Sequence, residues 1–180
     1  MIRDSAGPPS TDQRSQRRCV DALAASEPAL VGPERTMKTF ATNISINSPL
    51  PTIWTLLTDA PAYPQWNPTV VRIEGTIAQG EKIKVFAAIS PKRAFPVKVA
   101  ELVQNAKMVW SSGMPFGLFK AERTFTLTPS ADGSVEFSMR EVFSGLMSPL
   151  IERSIPDLQP DFERFAQALK STAEASQARA

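Results

Sequence analysis

Apolar and polar residues alternate from Lys38 to Ile46, with Phe40, Ile44 and Ile46 on one parity and Asn43 and Ser45 on the other. A period of two predicts a half-buried strand. Ser48-Pro49 follows as an N-cap and a first-turn proline, which predicts a short helix through Leu57 with Ile53, Trp54 and Leu57 on one face. Thr58-Asp59-Ala60-Pro61 restarts a helical turn that stops near Pro64, and Trp66-Asn67-Pro68 leads into extended chain.

Strand patterns then succeed one another at Val70–Glu74, Lys82–Ser90, Phe95–Val103, Met108–Ser112, Phe119–Thr128 and Val135–Phe143, punctuated by Gly75, Gly80, Pro91, Gln104-Asn105 and Gly113. Ser130-Ala131-Asp132-Gly133 is a hairpin signal. After Gly145 the period changes. Ile151, Ile155, Leu158, Phe162, Phe165 and Leu169 recur at spacings of four and three, one apolar stripe on a helix expected from about Leu158 to Ala173. Pro156 and Pro160 interrupt the stripe, so a break or kink is expected there. The polar residues after Ser171 are expected to fray.

Consecutive strands with short turns imply an antiparallel meander, and a lone amphipathic helix must cover one of its faces. The expected fold class is α+β. An antiparallel sheet of about six to seven strands is expected with a long C-terminal helix on one face and two short helices after the first strand.

Composition separates the first 36 residues from this pattern. They hold five basic and five acidic residues, four prolines and no aromatic residue, and are expected to form a disordered tail. The patterned domain is expected over residues 37–173, with a frayed tail at 174–180. Met37, where the pattern opens, is a candidate start of the functional chain.

The net charge of +2 is nearly balanced, and Arg17-Arg18 is the longest run of adjacent basic residues outside the Lys92-Arg93 pair. Nucleic acid is therefore not an expected partner. The chain contains no histidine, which removes Ser-His-Asp and Cys-His catalysis and every histidine-ligated metal site. Its one cysteine, Cys19, excludes an internal disulfide. No cofactor or metal is expected. No apolar run reaches the length of a membrane span and no signal-peptide core is present, so neither stable membrane insertion nor export is expected, and the protein is read as cytoplasmic.

The segments SPLPTIWTLLTDAPAYPQWNP, VVRIEGTIAQGEKI, VWSSG, ERTFTLTP and EVFSGLM together resemble the START-like (SRPBCC) superfamily, from about Met37 to Ala173. That superfamily includes polyketide cyclases, lipid-transfer domains and the birch-pollen-allergen family. The resemblance rests on Trp54, Asp59, the Tyr63-Pro64-Gln65-Trp66-Asn67-Pro68 turn, Gly75, Trp110 and Glu141-Val142-Phe143-Ser144-Gly145. It implies a helix-grip fold with a cavity between sheet and C-terminal helix. The functions it implies range from carriage of hydrophobic ligands to cyclisation of polyketides. Many members have histidine at the position of Arg123, a departure that bears on how site roles transfer.

Strand parity supplies the candidate site. Phe125 and Leu127 share one parity with Arg123, and Val135, Phe137, Met139 and Phe143 share one with Glu141. Regular strands would point Arg123 and Glu141 at the apolar face, within side-chain reach across the hairpin. They are compatible with a structural ion pair or with a polar anchor for a ligand carbonyl or carboxylate, Arg123 supplying a planar donor fork. Ring-bearing residues are compatible with ordinary core or with a pocket wall.

The candidate ligand-binding set is Trp66, Trp110, Arg123, Phe125, Phe137, Met139, Glu141, Phe143 and Phe162. Glu101, on the parity of Val97 and Val99, is a second candidate inward acid. Lys82, Lys84, Lys92, Arg93 and Lys98 read as a solvated face, with a membrane-surface role as the alternative.

The expected function is binding or carriage of a hydrophobic small molecule or lipid. The alternative is a polyketide cyclase or dehydratase. Its acid, base and charge stabiliser would come from Glu141, Glu101, Asp59, Tyr63 and Arg123. A third reading is a partner-binding domain without a ligand.

Overall fold

The computed structural model describes residues 38–147 and 154–177. The expected N-terminal tail, Ile151 and the last three residues lie outside the described residues. In chain order the elements are β1 (Thr39–Ile46), α1 (Leu50–Thr58), a helical turn at Ala60–Ala62, α2 (Tyr63–Trp66), β2 (Val70–Glu74), β3 (Lys82–Ala87), β4 (Phe95–Val103), β5 (Lys107–Gly113), β6 (Lys120–Pro129), β7 (Val135–Ser144) and α3 (Gln159–Gln177).

The strands form one seven-stranded antiparallel sheet in the order β1-β7-β6-β5-β4-β3-β2. From β2 to β7 each strand pairs with its sequence neighbour, whereas β1 pairs with β7. The two short helices thus carry the chain from one sheet edge to the other, and both pack against α3.

Period-two patterning becomes sidedness in β7, where Val135, Phe137, Met139, Glu141 and Phe143 are buried and the intervening residues are not. The stripe on α3 buries Phe162, Phe165, Ala166, Leu169 and Ala173, and the helix lies on β1, β7 and the short helices. This is the helix-grip arrangement expected.

The prolines act differently from the expectation. Helix α3 begins at Gln159, so Pro160 occupies its first turn, where a missing N–H costs nothing. Pro156 precedes the helix, and the expected kink is instead the helix start. Asp157 Oδ1 accepts the Gln159 amide at 3.0 Å there. At the other end α3 continues past Ala173 to Gln177. Glu174 accepts the Asn47 amide at 2.8 Å and pairs with Lys170 at 2.9 Å, which ties that turn down.

Ser48 is not the cap of α1. Pro49 holds that position, and no side chain caps the helix. A capping oxygen would seek the N–H of the second or third helical residue, and Pro51 has none. The buried Ser48 hydroxyl instead donates to the Ala173 carbonyl at 3.1 Å, joining α1 to α3.

Candidate ligand site

Arg123 and Glu141 are direct cross-strand partners on β6 and β7. Nε and Nη2 of Arg123 both donate to Glu141 Oε2, at 3.0 and 2.6 Å. The guanidinium carbon stands 4.9 Å from the centre of the Phe162 ring, on α3. The side chains keep 25% and 12% of their exposure, so the pair sits near the margin of the core. A charge among rings is costly unless paired. Here the shared oxygen and the ring face compensate it.

Two aromatic groups flank the pair. On one side Phe40 meets Phe143 edge-on at 6.1 Å and Phe162 at 6.0 Å, and Phe119 stacks on Phe143 at 6.0 Å. On the other, Phe165 of α3 is a hub. Its ring lies 6.4 Å from Tyr63, 5.4 Å from Trp66, 5.9 Å from Phe125 and 6.1 Å from Phe137. Trp110, the β5 partner of Arg123, meets Phe125 edge-on at 5.0 Å, and Met139 is buried opposite Phe125. All nine candidate residues therefore lie on or beside the face that α3 covers.

The interior also holds donors without acceptors. Trp66 Nε1, Trp110 Nε1 and Asn67 Nδ2 are buried and have no protein partner. Asn67 Oδ1, by contrast, accepts both the amide and the hydroxyl of Thr69, at 2.9 and 2.8 Å. A buried donor left unpaired costs about 1–3 kcal/mol. All three groups want an acceptor.

Tyr63 is fully buried and donates its hydroxyl to the Leu57 carbonyl at 2.8 Å. Burial pushes its pKa above the ordinary tyrosine range, while the Arg123 charge pulls the other way. A phenol held this way is a structural donor, not a base. Its folded pKa is raised, so the stability it contributes is present below the unfolded value of about 10 and is lost above it. Tyr63 is the single tyrosine. We expect tyrosinate absorbance at alkaline pH to rise only together with loss of the circular-dichroism signal. Ionisation near pH 10 in a chain that stays folded would contradict this placement.

The remaining candidate acids lie elsewhere. A bulge between Val99 and Glu101 breaks the parity that would turn Glu101 inward, and Glu101 pairs at 2.8 Å with Lys107, both substantially exposed. Asp59 is exposed. Sequence patterning passed over Phe165 and Asn67 as site residues. Phe165 reads as one more member of an apolar stripe, and Asn67 as a turn residue. Only Asn67's place between Trp66 and a proline set it apart.

A seven-stranded antiparallel sheet gripping one long C-terminal helix is the helix-grip fold of the START-like superfamily. Residues 37–174 match the family described as polyketide cyclase / dehydrase and lipid transport, and the chain belongs to that family. No curated protein matches it. Among solved structures it is similar to a START superfamily protein from Mycobacterium smegmatis, at 17% identity and TM-score 0.55, covering 77% of this chain and 98% of that one. A protein from Mesorhizobium loti is similar at 21% identity and TM-score 0.57, over 74% and 95%. The di-domain ARO/CYC StfQ from the steffimycin biosynthetic pathway is similar at 14% identity and TM-score 0.60, over 79% of this chain and 52% of that one. These likenesses are of fold.

Proposed function

We propose that the domain binds and carries a largely apolar small molecule or lipid bearing at least one acceptor oxygen. The observation that carries this reading is a pair of buried, unpartnered indole donors, on Trp110, the cross-strand partner of Arg123, and on Trp66, packed against Phe165, with the unpartnered amide of Asn67 next to Trp66 in the chain. An apolar wall with a few convergent polar groups is the usual form of a small-molecule site. Phe165 of α3 closes this ring cluster, so a ligand that reaches the donors displaces its ring. Arg123 then offers its planar fork to the ligand oxygen, with Glu141 holding the guanidinium in place.

Native mass spectrometry of protein purified from its own source tests carriage directly, the expected result being an added mass that organic extraction removes. Arg123→Lys keeps a cation beside Glu141 but loses the fork. It should fold normally and weaken binding of the extracted compound about tenfold. No added mass, together with no uptake of an apolar fluorescent probe, would rule carriage out. Unchanged affinity in Arg123→Lys would remove Arg123 as the anchor.

A second reading, a cyclase or dehydratase, is favoured by one observation: Glu141 is a carboxylate buried on the inner face beside a charge stabiliser. The likeness to StfQ adds to it. Turnover of a poly-β-ketone chain that Glu141→Gln abolishes would decide for this reading.

A further inference from the structure

Among the described residues, the exposed large apolar side chains gather at one end of the sheet. They are Val71 (40% exposed), Ile89 (52%), Met114 (49%), Phe116 (95%), Leu146 (60%) and Met147 (37%), and only Val103 (47%) lies at the opposite end. Strand register brings them together. Val70 pairs with Ala87 at the start of β2 and the end of β3, and Gly113, Lys120 and Ser144 are successive partners across β5, β6 and β7. The β3–β4 and β5–β6 loops and the end of β7 therefore share one end.

The β5–β6 loop is braced rather than loose. Met114 donates its amide to the Phe119 carbonyl and Met147 donates to the Leu118 carbonyl, both at 2.8 Å. Gly145, at φ +120°, lets β7 pass so close that a Cβ there would lie 2.6 Å from the Leu118 carbonyl oxygen. At its tip Phe116 takes φ 60° and ψ 21°, the left-handed region that bulky residues avoid. An aromatic ring held almost wholly in water on a strained backbone is an arrangement that folding alone does not reward.

Charge at this end is complementary to an anionic surface. Lys92 and Arg93 are exposed in the β3–β4 loop. Lys98 and Lys120 flank an open groove of about 470 Å³ lined also by Ser111, Met114 and Phe119. Among the described residues, two acids near this end are paired with bases, Glu122 with Lys120 and Asp161 with Arg164.

We propose that this end docks on a bilayer carrying anionic phospholipid. Phe116 and its apolar neighbours reach the acyl boundary, while Lys92, Arg93 and Lys98 meet the phosphates. A second copy of the chain fits less well, because a two-fold contact sets this basic patch against itself. The docking does not depend on what the interior holds.

The test is co-sedimentation of the full chain with vesicles of phosphatidylcholine alone and of phosphatidylcholine mixed with phosphatidylglycerol. The chain should partition onto the mixed vesicles, and less so as salt is raised. Phe116→Asp should cut that partitioning at least about tenfold without lowering the melting temperature. The double charge reversal Lys92→Glu/Arg93→Glu should erase the preference for anionic vesicles, and Val103→Asp, at the far end, should change nothing.

Failure of the unaltered chain to bind the mixed vesicles would overturn the proposal, as would a Phe116→Asp variant that binds as well as it, or equal losses in Phe116→Asp and Val103→Asp. A dimer that Phe116→Asp dissolves, in a chain that ignores vesicles, would assign this end to a second copy instead.

Discussion

Phe165→Ala is expected to remove about 3–5 kcal/mol of folding stability, the range for deleting a buried ring that its surroundings cannot refill. Four aromatic rings from α2, β6 and β7 pack on Phe165 from different directions, so no single neighbour can collapse into the space. For a domain of this size the melting temperature should fall on the order of 10 °C. Phe165→Leu keeps most of the volume and should cost less than about 2 kcal/mol. Thermal and urea unfolding of the two variants check this. A loss below about 1 kcal/mol in Phe165→Ala would mean that the helix is not gripped through this ring.

The ion pair supplies the second large effect, and its sign pattern is specific. Arg123→Leu leaves Glu141 short, nearly buried and unpaired. Glu141→Leu leaves Arg123, the more exposed partner, whose longer stem can carry its head to water. Removing one partner of a buried pair is the costly operation, and residual exposure reduces the cost. We expect about 2–4 kcal/mol for Arg123→Leu and about 1–2 kcal/mol for Glu141→Leu. The double leucine variant should lie within about 1 kcal/mol of the parent. A double-mutant cycle from urea titrations measures the coupling. Single losses that simply add would show that Arg123 and Glu141 do not act as a pair.

The double leucine variant also separates stability from function. It should fold, yet it lacks the donor fork on which the proposed ligand contact rests. Arg123→Lys reports the same contact with the charge retained. The two variants together distinguish an anchor from a structural pair.

Much of this was legible in the pattern of residues, and the reasons differ from element to element. Strands β2 and β4 fall at the expected residues because turn residues flank them, Pro68 and Gly75 for β2, Pro91 and Gln104-Asn105 for β4. The Arg123–Glu141 pairing followed from parity plus a hairpin signal, since the side-chain period of a strand is two and a turn sets the register. Glu101 shows where parity fails. One bulge between Val99 and Glu101 reverses the face, and a bulge leaves no mark in alternation. Pro160 shows a different ambiguity. A proline reads alike as a kink or as a first-turn residue, and only the point where the chain leaves the sheet decides between them.

By itself, the sequence determined which face of the β6–β7 hairpin and of α3 is apolar, that no histidine chemistry is available, and that two opposite charges lie on the inner face. Those are properties of spacing and residue type. Only the tertiary structure decided that Phe165 is the ring on which the others converge, that Trp66, Asn67 and Trp110 keep their donors unpaired, and that the exposed apolar loop tips share one end. Each depends on where segments distant in the chain are brought together. That placement follows from sheet order and the packing of α3, which act between residues that no local pattern connects.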